Sequence, residues 1–212
     1  MKRPSFLSLA TLAWLVLSCE LTLQPSSDVT LNNAPPTPAA EVVDEDTQSP
    51  EHKILGELRT RQTSLSEAEL EVLARTILEE SKRHHFEPEL ILAVIFVESS
   101  GRPAAVSHVG ALGLMQIMPL TGAELARRHG LPWDGPNTLL DPVTNVKLGV
   151  AYLRTLTNRY ADTSAALAAY NWGPGRIDRE LRRGVRLPTG YSDAVTRAYL
   201  KATGSRRLPS RS

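Results

Sequence analysis

Leu90-Ile91-Leu92-Ala93-Val94-Ile95-Phe96-Val97-Glu98 is the stretch on which the fold turns. Eight apolar residues in a row leave no polar stripe for solvent. Pro88 just ahead suits the first turn of a helix, and Ser99-Ser100-Gly101 behind can end one. The stretch therefore reads as a helix that is apolar nearly all round, and such a helix belongs inside a core. Outward from it the helical period continues. Upstream, Ser66-Glu67-Ala68-Glu69 has the form of a capping box, and Leu70, Leu73, Ile77 and Leu78 carry a helix to about His85. Downstream, Pro119 opens a helix to about Arg128. Asp141-Pro142 is an N-cap followed by Pro at the first position. Val146, Val150, Leu153 and Leu156 then line one face of a long helix toward Tyr160. Asp162 caps 164–170, and two more helices fit 174–183 and 191–203. No stretch alternates with period two. The predicted fold class is all-α, a helical domain over 64–203 ahead of a basic tail, 204–212.

The 212 residues are 42% apolar and 22% charged, which leaves room for one domain plus some non-globular chain. That composition excludes a collagen, a disulfide-stapled mini-protein and a wholly disordered chain. The net charge of +1 is unevenly spread. Residues 20–63 carry eight acids against Lys53, Arg59 and Arg61, whereas 176–212 carry ten Arg or Lys against three acids. A modestly basic domain behind an acidic leader makes no case for nucleic acid. The basic C-terminal stretch reads as a solvated helix face, or as loose attraction to an anionic polymer or membrane surface.

Met1-Lys2-Arg3 followed by the apolar run Phe6 to Leu17 suits a secretory signal and is too short to span a bilayer. The run ends Val16-Leu17-Ser18-Cys19, which resembles a bacterial lipobox, with 1–18 as signal peptide and Cys19 as the lipidated residue. A plain signal or an uncleaved anchor is the alternative. Cys19 is the only cysteine, so no internal disulfide or CxxC site exists. Residues 19–63, with five prolines and no sustained apolar period, read as a disordered tether, with room for a short helix over 52–62. The domain is expected to be a monomer.

Glu98 sits where the buried helix ends. Desolvation and the negative end of the helix dipole both disfavour its ionised form, as a general acid requires. A Glu in a last turn can equally face solvent or cap nearby amides. Gly110-Ala-Leu-Gly113-Leu-Met-Gln116-Ile-Met-Pro119 sets two glycines ahead of an amide-bearing turn. Glycine lets backbone approach a ligand, and Gln116 can donate and accept. Ala169-Tyr170-Asn171-Trp172-Gly173-Pro174-Gly175 breaks a helix and displays three functional side chains. His84 and His85 read as solvated residues, and no HExxH spacing occurs. Glu124, Asp134, Asp141 and Asp162 are the candidates for a second catalytic carboxylate, two of them already explained as N-caps.

Together and in this order the blocks resemble the catalytic domain of the soluble lytic transglycosylases, relatives of goose-type lysozyme. Val97-Glu98-Ser99-Ser100-Gly101 is similar to the family's Glu-Ser motif. Ala105 through Pro119 is similar to its glycan-binding Gly-Leu-Met-Gln block. Ala169 to Gly175 is similar to the third, with Trp172 where the family more often has a small residue. Leu187-Pro188-Thr189-Gly190-Tyr191 is similar to the closing segment. The resemblance implies a lysozyme-like fold, peptidoglycan glycan strands as substrate, and Glu98 as the one catalytic residue, acid and then base. It implies non-hydrolytic cleavage between N-acetylmuramic acid and N-acetylglucosamine, leaving 1,6-anhydro ends, with neither metal nor cofactor. Carried over residue by residue, Ser107 and Gln116 bond sugar groups and Met115 packs on a sugar face. Tyr170 orients Glu98 with Asn171 beside it, and Tyr191 joins the substrate-binding set. Trp172 either stacks on a sugar or packs. The implied location is the cell envelope, facing the periplasm, with Glu20 after the cysteine leaning toward the outer membrane. A hydrolytic muramidase on the same fold and a catalytically idle glycan-binding lipoprotein are the rivals.

Overall fold

The computed structural model describes residues 49–61 and 63–204. The expected signal peptide, Cys19, the expected tether as far as Gln48 and the tail beyond Gly204 lie outside them. The described residues form eight α-helices in order: α1 Pro50–Arg59, α2 Glu67–His84, α3 Pro88–Ser99, α4 Pro119–His129, α5 Pro142–Arg159, α6 Thr163–Trp172, α7 Pro174–Arg182 and α8 Gly190–Thr203. A short 3-10 helix, Pro136–Leu140, leads into α5. Among the described residues the only β pairing is two isolated antiparallel bridges, Val106 with Leu112 and Leu112 with Ile117. The expected all-α class holds.

The helices start where local chemistry satisfies their free N–H groups. The Ser66 hydroxyl accepts from Glu69 N while the Glu69 carboxylate accepts from Ser66 N at 2.7 Å, the reciprocal capping box. Asp141 accepts from Thr144 N at 2.8 Å, and Asp162 from Ala165 N at 2.9 Å. These two carboxylates are thus N-caps. At the other end of α3, Ser100 takes the left-handed conformation, and the Ser99 hydroxyl donates to Ile95 O at 3.0 Å.

Leu90 through Ile95 are all buried, and α3 runs through the core between α2, α8 and α1. The sequence-based boundary at 64 is corrected by α1. Ile54, Leu55 and Leu58 are buried in the same core cluster, so Pro50–Arg59 is part of the domain and not tether. Ser49 and Pro50 cap the helix, and the three apolar residues fall on one face. Burying three such side chains is worth about 5–9 kcal/mol gross, largely offset by the entropy of ordering ten residues. A chain beginning at Ser49 is therefore expected to melt about 5 °C above one beginning at Ser64, measured by calorimetry. Equal melting temperatures would contradict the docking of α1.

Candidate active site

Glu98 lies in the last turn of α3 and is largely buried. Burial pushes its carboxyl up from the ordinary 4.5 to about 7, and a hydrogen bond from Tyr191 partly opposes the rise. The Tyr191 hydroxyl donates to Glu98 Oε1 at 2.7 Å. Among the described residues no neighbouring charge contributes to the shift. Desolvation, one of the two effects expected from sequence, is the largest cause.

Tyr191 reaches Glu98 because it opens α8, the helix laid along α3. The expectation that Tyr170 orients Glu98 is corrected by this geometry. Tyr170 instead donates to the Met115 carbonyl at 2.9 Å, tying α6 to the loop before α4. Its ring is stacked with that of Tyr191, centroids 6.4 Å apart and planes 8° from parallel, and tilted against Tyr152 at 5.3 Å. Burial first, and then the Glu98 charge, hold the Tyr170 and Tyr191 phenols well above their usual range, so both stay protonated donors. Among the described residues Tyr191 is the one group supporting ionised Glu98, and Tyr191→Phe removes it. Turnover is expected to fall about 10- to 100-fold, with the alkaline limb of the pH profile moved to higher pH. A pH–rate series checks both, and an unmoved limb would exclude the contact.

The loop from Gly101 to Met118 is organised from behind by Asn145, which is fully buried on α5. Its Oδ1 accepts from Met115 N at 2.7 Å, and its Nδ2 donates to Leu112 O at 3.0 Å and Leu139 O at 2.7 Å. Met115 N and Leu139 O would otherwise be orphaned in the core, whereas Leu112 O also accepts from Ile117 N at 3.0 Å. Gly113 has φ +80°, and a Cβ there would sit 2.1 Å from Asn145 Nδ2 and 2.2 Å from Leu139 O. This glycine serves the clamp rather than a ligand. Gly149, one turn beyond Asn145, makes the socket for Met115: a Cβ at Gly149 would lie 2.3 Å from Met115 Sδ. Met115 is fully buried, which corrects its expected contact with a sugar face. Ser107 also serves the loop, its hydroxyl accepting from Ala111 N at 2.9 Å.

Gln116 takes a positive φ of 47°, a strained conformation for a non-glycine residue. Its Nε2 donates to Gly113 O at 2.8 Å and Ala105 O at 3.1 Å, so its amide oxygen is the atom left to accept. Gln116, Met118, Tyr152, Tyr170, Asn171 and Trp172 are among the residues lining a cleft of about 310 Å³. Met118, 44% exposed, is the methionine that reaches it. Glu98 does not line this cleft; Tyr170 joins the two, its ring on the cleft wall and stacked on Tyr191. Trp172 neither packs inside nor lies bare, because the Arg176 guanidinium sits 3.9 Å from its ring centroid.

Sequence reasoning missed Asn145, Tyr152 and Met118. The first two were findable, since Asn145, Gly149 and Tyr152 recur at helical spacing on one face of α5. Of the remaining carboxylate candidates, Glu124 is exposed and paired with Arg127 and Arg128, which hold it down at about 2. Asp134 is exposed. His84, expected to be solvated, is partly buried with Nε2 3.4 Å from Glu80 Oε2. Among the described residues no group of three His, Cys, Asp or Glu side chains could hold a metal ion.

The profile of the family described as "Transglycosylase SLT domain" matches residues 75–188, more than half the chain. The chain belongs to this family. The match takes in Glu98, the loop and α6 but ends before Tyr191. The chain is 36% identical over 119 residues to a transglycosylase of Enterobacteria phage PRD1, covering 50% of this chain and 42% of that protein. It is 41% identical over 122 residues to the soluble lytic murein transglycosylase of Salmonella typhimurium, 52% of this chain and 18% of that protein. Over 110 residues it is 40% identical to the membrane-bound lytic murein transglycosylase C of Cronobacter sakazakii, 47% of this chain and 30% of that protein. It thus matches less than half the length of each relative. A lytic transglycosylase of Pseudomonas aeruginosa superposes with a TM-score of 0.48 at 30% identity, covering 62% of this chain and 20% of that one.

Proposed function

We propose that this SLT-domain chain is a peptidoglycan lytic transglycosylase with Glu98 as its single acid and base. The observation that carries the reading is a largely buried carboxyl pushed up to about 7, with a phenol donating to it. Near neutral pH such a group holds a proton in a substantial fraction of molecules and can still release it. Glu98 gives its proton to the glycosidic oxygen as the bond from muramoyl C1 breaks, freeing the N-acetylglucosamine hydroxyl. The substrate's acetamido group supports the developing oxocarbenium, as in glycosidases that manage with one protein carboxylate. Ionised Glu98, held by the Tyr191 hydroxyl, then takes the proton of the muramoyl 6-hydroxyl. O6 closes on C1 to give the 1,6-anhydro ring, and Glu98 is neutral again. Atoms balance with no water consumed.

Gln116, Asn171 and Trp172 supply the cleft's polar and aromatic contacts for the sugars, while Ser107 and Met115 shape the loop. Anchoring through a lipidated Cys19, a periplasm-facing place at the outer membrane and a monomeric state belong to the same proposal. The membrane-bound relative is consistent with it.

The rate test follows from the sign of the shift. The protonated form is the active one, so kcat/KM should be level below about pH 7 and fall tenfold per unit above it. A profile on soluble glycan strands that rises through pH 7 would sink the acid assignment.

A further inference from the structure

We propose that Trp172 and Arg176 form a recognition site for the peptide-stem carboxylates of the glycan strand, beside the cleft that takes the sugars. The proposal rests on the peptidoglycan reading above and adds to it a preference for strands that still carry their peptides.

Trp172 ends α6 and lines the cleft, yet it is 45% exposed. What covers its ring is the guanidinium of Arg176, in the first turn of α7. Gly173, at φ +80°, and Pro174 make the corner between them. That corner is pinned from its other side. Ile177 is fully buried, and the Tyr160 hydroxyl reaches Asp178 Oδ1 at 2.8 Å and Pro174 O at 3.1 Å. Arg159 pairs with the same Asp178. With its inner face fixed, α7 presents Arg176, Arg179 and Arg182 to solvent, as its C-cap presents Arg183, and none of them forms an ion pair among the described residues.

A stacked guanidinium keeps its in-plane N–H donors pointing outward, where they can grip a carboxylate with two parallel bonds. Stacking also restrains a long side chain before any ligand arrives, so less freedom is lost on binding. The saccharide hydroxyl and acetamido groups are neutral and give a cation at the cleft edge little to do. In the strand the muramoyl lactyl group is amide-linked to its peptide, so the negative charge lies on the stem. A strand seated in the cleft would bring those carboxylates past Trp172.

The test compares two substrates with the full chain: peptide-bearing glycan strands, and the same strands stripped of peptide by an amidase. The wild-type protein is expected to show a kcat/KM about fivefold higher on peptide-bearing strands at low salt, through KM, with the ratio falling toward one as salt rises. Arg176→Gln should bring the ratio to about one at low salt, and Arg176→Lys should restore part of it. A wild-type ratio of one would overturn the proposal. So would an unchanged ratio in Arg176→Gln, including the case where that variant instead loses binding to vesicles containing anionic lipid. Cleavage of neither substrate by the wild type would remove this proposal together with the reading it rests on.

Discussion

Glu98→Gln is expected to lower cleavage of glycan strands by about 10⁴-fold or more while leaving strand binding in place. General acid–base catalysis is typically worth about 10²–10⁴-fold, and here one group serves both halves of the reaction. The amide is nearly isosteric and can still accept from Tyr191, so the geometry at the end of α3 is kept and only the proton is lost. The same substitution carries a stability signature. Folded Glu98 titrates near 7 and the unfolded group near its ordinary 4.5. Between these values the folded state holds a proton that the unfolded state has released. Stability therefore falls as pH rises from about 4.5 to about 7, by about 3 kcal/mol. Gln carries no such penalty. The variant should match the wild type near pH 4 and melt several degrees above it at pH 8. Parallel melting curves across that range would mean that Glu98 is not desolvated.

Gly113→Ala is expected to be the most damaging small substitution in the domain. The new methyl would overlap both Asn145 Nδ2 and the Leu139 carbonyl, and one of these is backbone. Relief requires Asn145, in a fully buried place, to leave its three backbone partners, of which Met115 N and Leu139 O are then unsatisfied while Leu112 O keeps Ile117 N. Unsatisfied buried groups cost about 1–3 kcal/mol each, and the left-handed backbone adds about 1–2. A loss of about 4 kcal/mol or more follows, together with activity, because Met115 and Gln116 hang from that clamp. Gly110→Ala is the control. Its φ is +85°, but nothing lies within 4 Å of the added carbon, so only the backbone cost of about 1–2 kcal/mol applies. Chemical denaturation of the pair separates the two effects, and similar losses at both positions would refute the clamp.

Much of the helical framework was legible in the sequence because most helices announce themselves locally. Ser66 with Glu69, Asp141 with Pro142, and Asp162 are caps readable within four residues, and the all-apolar α3 could only be central. The sequence leaves room for a short helix over 52–62, but the docking of the first helix into the core was obscured by averaging. Acidic residues and prolines dominate 20–63, and that composition outweighed Ser49-Pro50 and the spacing of Ile54, Leu55 and Leu58. The site was legible in its parts but not in their roles. Glu98 could be singled out from its position behind the apolar run. Which phenol meets it could not, since that depends on α8 packing along α3, with the partners 93 positions apart in the chain. Met115, expected on a sugar face, is instead taken into the core, where Gly149 leaves room for it. Ser107 likewise turned inward, because a loop holding three positive-φ glycines needs its own hydrogen bonds before it can offer any.

The most direct measurement is the mass of the products. Sacculi are digested with the wild-type protein, with Glu98→Gln as the blank, and the released muropeptides are weighed. The account predicts 1,6-anhydromuramoyl ends, lighter by one water, about 18 Da, than hydrolysis of the same bond would give, and no release by the variant. Reducing-end N-acetylmuramic acid as the main product, or substantial release by Glu98→Gln, would contradict it.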